Sequence, residues 1–67
     1  MLDRYTVGQK LIKLRGDKPQ SVVASDLNIS TSALGMYEQG RRTPRDEIKL
    51  ALARYYGTTV GCLFFGD

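Results

Sequence analysis

Between residues 28 and 42 the chain runs NISTSALGMYEQGRR. Hydroxyls at Ser30, Thr31 and Ser32, a thioether at Met36, an amide at Gln39 and guanidiniums at Arg41 and Arg42 surround one glycine, Gly35. Groups of this kind exchange hydrogen bonds and hold anions; they do not make or break covalent bonds unaided. The rest of the sequence offers no stronger chemistry. There is no histidine, so the usual general base at neutral pH is missing, and the carboxylates stand singly or in positions that suit helix ends. The one cysteine, Cys62, has no internal disulfide partner and no histidine with which to build a zinc site, and beside Leu63 it reads as buried core. No phosphate loop or dinucleotide fingerprint is present. The expectation is a protein that is not an enzyme and needs no metal, cofactor or small-molecule ligand. A lone thiol, no signal-peptide core and no apolar run near the roughly 20 residues of a membrane span predict a soluble, cytoplasmic chain.

Positioning these residues falls to a small scaffold. Sixty-seven residues predict one domain spanning 1–67, and a chain this short buries only about 60% of the surface its unfolded form exposes, so several short elements must share one core. Apolar positions recur at helical spacing, and no long stretch alternates with period two, which predicts an all-α fold of five helices. The first helix is expected from Val7 to Arg15, with Val7, Leu11 and Leu14 as its buried stripe and Gly16-Asp17 as its end. Pro19 suits the first position of the second helix, whose Val23, Ala24 and Leu27 face inward. Asn28 tolerates the left-handed backbone that stops it, and Ser30 caps a third helix running from Thr31 to Gln39, closed by Gly40. The fourth opens around Thr43-Pro44-Arg45-Asp46, with Asp46 and Glu47 near its positive end and Ile48, Leu52, Ala53, Tyr55 and Tyr56 on its apolar side. Gly57 stops it, and Thr59 caps a last short turn in VGCLFF.

The third helix is unusually thin. With Thr31 at zero and 100° per residue, Leu34, Tyr37 and Glu38 fall at about 300°, 240° and 340°, toward the core or its edge. Gly35, Gln39, Ser32 and Met36 fall at about 40°, 80°, 100° and 140°, on the outward side. A glycine inside a helix costs about 1 kcal/mol relative to alanine, and a solvated face would ordinarily carry glutamate and lysine instead. This face is small, uncharged and able to hydrogen-bond, so something is expected to come close to it. The formal net charge is +3, with five basic and two acidic residues in 1–18, none and two in 19–40, and four and two in 41–49. Positive charge therefore brackets the neutral helix. A DNA major groove about 12 Å wide admits one helix, hydroxyls and amides read its base edges, and flanking cations hold the phosphate strands.

The segment PQSVVASDLNISTSALGMYEQGRRTP resembles the helix-turn-helix of the phage-repressor-like bacterial regulators, the lambda repressor and Cro type or XRE family. The shared features are Gln20 at the head of the second helix, the buried pair Val23-Ala24, the cap Ser30, the aliphatic Leu34 and the run Tyr37-Glu38-Gln39-Gly40. The likeness continues through KLIKLRGDK before this segment and RRTPRDEIKLALARYYGTTVGCLFF after it. It implies double-stranded DNA as partner, with Thr31, Ser32 and Met36 at the bases and Gln20, Gln39, Arg41 and Arg42 at phosphates; Gly35, by the helix geometry above, would let the backbone approach the groove floor or a phosphate and is counted with the base-facing set. It also implies that Glu38 pairs with a basic residue of the first helix, here Arg15, that the protein is bacterial or phage-encoded, and that it acts as a repressor. The chain departs from the pattern in a short first turn and in base-facing positions that lack glutamine and arginine.

One such helix covers about half a turn of duplex, so a homodimer on a palindromic site is expected, with Leu63, Phe64 and Phe65 as the dimer contact. The rival reading is a protein-interaction module, antitoxin-like or adaptor, whose surface would lie on the same LFF and on Val22.

Overall fold

A computed structural model describes every residue from Met1 to Asp67. The chain is all helical: α1 (Arg4–Arg15), α2 (Gln20–Asp26), α3 (Thr31–Glu38), α4 (Asp46–Tyr55) and a closing π-helical turn (Gly61–Phe65).

Local capping explains most of these boundaries. α1 begins at Arg4, earlier than the expected Val7, because the Asp3 carboxylate accepts from the Thr6 amide at 2.8 Å and the Thr6 hydroxyl at 3.1 Å. Those hydrogen bonds favour the ionised form and hold the Asp3 carboxyl below its ordinary value. Pro19 is not the first helical residue; its backbone is extended and it serves as the N-cap of α2. Between α2 and α3, Asn28 takes the left-handed conformation at φ 58° and Ser30 Oγ accepts from the Ala33 amide at 3.0 Å. α3 closes at Glu38, with Gln39 as its C-cap and Gly40 at φ 73° beyond it. Pro44 lies ahead of α4 rather than in its first turn, and Asp46 and Glu47 open that helix. Thr59 Oγ1 accepts from the Cys62 amide at 3.0 Å and so starts the final turn.

The core joins Val7 and Leu11 of α1, Val23 and Ala24 of α2, Leu34 and Tyr37 of α3, Leu52 and Ala53 of α4, and Leu63 and Phe64. Three sequence expectations fail here. Leu14 is 42% exposed: it shares the angular face of Val7, but it opens onto a hollow that it lines with Lys10, Lys13, Thr58, Cys62 and Leu63. Cys62 is exposed on the rim of the same hollow, because the turn that buries Leu63 and Phe64 points their neighbours outward. Leu63 and Phe64 cannot form a dimer surface as they stand, since both fill the monomer's own core; of the three residues only Phe65 is exposed.

Candidate nucleic-acid interface

α3 is fastened from inside. The Glu38 carboxylate, 2% exposed, accepts from Arg15 Nε at 2.7 Å and Arg15 Nη2 at 3.1 Å, and from Gln20 Nε2 at 2.7 Å. Arg15 also donates through Nη1 to the Lys18 carbonyl at 2.8 Å. One buried carboxylate therefore ties the end of α3 to α1, to the head of α2 and to the turn between them. Hydrogen bonding to Glu38, opposed by burial, raises the Arg15 guanidinium above its ordinary value, so it remains charged throughout the accessible range. α1 approaches closely enough that a Cβ on Gly8 would collide with the carbonyl group of Glu38 and stand 2.9 Å from the Tyr37 carbonyl oxygen.

The other side of α3 is open. Thr31, Ser32, Met36 and Gln39 are exposed, and together with Gln20, Gly35 and Arg41 they line one shallow groove. Gly35 lies at its floor and is itself buried, not exposed as the outward angle implied. A Cβ built there would meet nothing nearer than the Gln20 and Gln39 amide nitrogens, each 4.0 Å away, so no packed helix requires this glycine. Gln20 gives one N–H to Glu38 and keeps its carbonyl oxygen and second N–H free of protein hydrogen bonds at the groove edge. Every lining side chain except that of Met36 is polar or absent, and no carboxylate lines the groove. The structure brings Thr31, Ser32, Gly35, Met36, Gln20, Gln39 and Arg41 together and sets Arg42 apart, beside Arg4 at a separate small hollow.

A family model of the helix-turn-helix domain matches residues 7–62, a span that includes α2, the Asn28 turn and α3. The chain belongs to the helix-turn-helix domain family. No curated protein and no solved structure matches the chain. In helix-turn-helix terms α2 is the first helix of the pair and α3 the second. That assignment gives the open face of α3 its place, because the groove is lined by the second helix plus the residues just before and after the pair. No helix is long and apolar enough to cross a membrane.

Sequence reasoning missed two parts of this helix-turn-helix site. Gly8 was legible as a glycine inside a helix, the same signal that marked Gly35, but its partner lies on another helix. The Asp3-x-x-Thr6 spacing was a readable cap that would have brought Arg4 into α1. A third feature is a surface chain in which Lys18 Nζ donates to the Tyr55 hydroxyl at 3.1 Å and that hydroxyl donates to Asp26 Oδ2 at 2.6 Å, linking α4 to the end of α2.

Proposed function

We propose that this chain is a double-stranded DNA-binding transcriptional regulator of the lambda repressor and Cro type, a repressor, which inserts α3 into the major groove. The observation that carries the reading is the groove floored by Gly35. It is open, free of carboxylates and lined by hydroxyl and amide groups, on a helix whose opposite side is pinned by Glu38. Thr31, Ser32 and Met36 meet base edges there, and the missing side chain at Gly35 lets the backbone come close. Gln20, Gln39, Arg41 and Arg42 hold phosphates. Hydroxyls accept more than one base partner, so discrimination per contact falls below the about 1 to 3 kcal/mol of a bidentate pair.

Binding as a homodimer on a palindrome, with half-sites about one helical turn apart, supplies the affinity a single helix lacks. With Leu63 and Phe64 in the core, Phe65, which is 47% exposed, is the residue left to make the dimer contact. The bacterial or phage setting and the cytoplasmic location belong to the same proposal.

Titration of the chain into a random-sequence duplex at low and high salt tests the reading, with anisotropy for affinity and NMR shifts for location. Salt-sensitive binding that perturbs residues 31–42 supports it. Absence of binding at any salt favours the protein-interaction module, whose surface on Val22 and LFF is now reduced by the burial of Leu63 and Phe64. Selection of bound sites from a randomised pool then identifies the operator.

A further inference from the structure

Arg4 opens α1 and lies outside the matched segment, which begins at residue 7. Its Nη1 stands 3.5 Å from the carbonyl oxygen of Arg41, 37 positions along the chain. The approach is built into the backbone. A Cβ on Gly40, whose φ is +73°, would stand 2.8 Å from Tyr5 Cα and 3.2 Å from the carbonyl carbon of Arg4, so the loop leaving α3 lies directly on the start of α1. Arg42 shares a small hollow with Arg4. Arg4 and Arg42, exposed residues from two distant segments, thus share one hollow beside the loop that leaves α3, with Arg41 exposed next to Arg42 in the chain, and the ion pairs of the structure involve none of the three. The neighbouring acid, Asp3, is occupied by the amide and hydroxyl of Thr6.

Inside the monomer the Arg4 guanidinium has one partner, the Arg41 carbonyl oxygen, and no carboxylate. A cation in the first turn of a helix opposes the macrodipole, and in α1 only the N-cap carboxylate of Asp3 acts against it. The like charges of Arg4 and Arg42 at one hollow also repel each other. The arrangement becomes favourable when an anion covers it, and the planar fork of a guanidinium matches the oxygens of a phosphate.

We propose that Arg4 contacts the DNA phosphate backbone, joining Arg41 and Arg42 in gripping the strand beside the groove that α3 enters. This rests on the DNA-binding reading above and adds to it a contact from α1. The test measures binding of the full chain to a random-sequence duplex across a salt series, for the unmodified protein and for Arg4→Gln, Arg4→Lys and Arg41→Gln, with a melting temperature for each. Arg4→Gln is expected to weaken binding about three- to tenfold on every sequence and to reduce the salt slope by about one, while Arg4→Lys keeps the slope. The melting temperature of Arg4→Gln should stay equal or rise, because the removed charge opposed the helix dipole. A lowered melting temperature with an unchanged slope assigns Arg4 a structural role and overturns the inference. Unchanged binding by Arg4→Gln beside weakened binding by Arg41→Gln overturns the inference alone. No binding by the unmodified protein at any salt overturns the DNA reading and this contact with it.

Discussion

The two sides of α3 differ in how completely they are used. On the inner side Leu34 and Tyr37 fill the core and both Glu38 oxygens are bonded, one to Arg15 and the other to Arg15 and Gln20. On the outer side, hydroxyls and amides stand in a groove with spare hydrogen-bonding capacity. Two glycines express the same contrast. Gly8 is required by the fold, because any side chain there meets the backbone of Glu38; Gly35 is also buried, yet a Cβ there would meet nothing nearer than 4.0 Å, so packing does not require a glycine at that position. A glycine within a helix thus has two distinct causes, and the distance to the nearest neighbour separates them.

The comparison is broken most severely at Glu38. Glu38→Ala leaves the Arg15 guanidinium, 19% exposed, without its partner and frees Gln20, and should cost about 3 kcal/mol, the low end for a broken buried pair. That is a large fraction of the roughly 5 kcal/mol such a domain has in total, so denaturant unfolding should find a barely folded chain. Gly8→Ala comes next at about 2 kcal/mol, because overpacking against backbone carbonyls cannot be relieved by a rotamer change.

Gly35→Ala sharpens the contrast by inverting the sign. It should raise stability by up to about 1 kcal/mol through helix propensity, yet weaken duplex binding, because the new methyl stands where the proposed function has the backbone approach DNA. Stability and affinity falling together in that variant would mean that Gly35 serves packing after all. Ser32→Ala should change preference at one base position by less than about 1 kcal/mol, read by site selection; equal loss on all sites would remove Ser32 from the base-reading set.

The smallest effect probes the far side of the inner network. The Tyr56 hydroxyl is covered by protein and has no hydrogen-bond partner. Burial, followed by the negative charge of Glu38, pushes its pKa up to about 12, with Arg15 acting in the opposite direction. The folded chain therefore holds this proton more tightly than the unfolded chain, whose tyrosine titrates near the ordinary 10.0. Its contribution to stability is whole below pH 10 and lost as pH rises toward 12. Tyr56→Phe should flatten that alkaline limb relative to the unmodified protein and, by deleting an unsatisfied hydroxyl, change neutral-pH stability by less than about 1 kcal/mol.

Much of the architecture was legible because its determinants are local. Asn28, Ser30, Gly40 and Gly57 punctuate the chain through their own backbone preferences, and a cap acts within a few residues of itself. Helical periodicity assigned Leu34, Tyr37 and Glu38 to one side of α3 and Gly35, Ser32, Met36 and Gln39 to the other; the groove follows that division for Ser32, Met36 and Gln39, while Gly35 lines it but is buried. Leu14 was misread because periodicity gives the direction of a side chain but not whether the elements on that side close over it or leave a hollow. Cys62 and the Leu63-Phe64 pair were misread because in a final turn each residue points a different way, and a run of apolar letters does not say which side the core occupies.

The sequence alone determined the helices, their stops and the thin outward side of α3, since turn chemistry and the 3.6-residue period depend on near neighbours only. Tertiary structure decided the rest. Only packing brings Arg4 to Arg41 and presses α1 on α3 at Gly8, because contacts across tens of residues depend on how whole helices cross. That crossing is set jointly by every side chain in the seam, and no single stretch of sequence contains it.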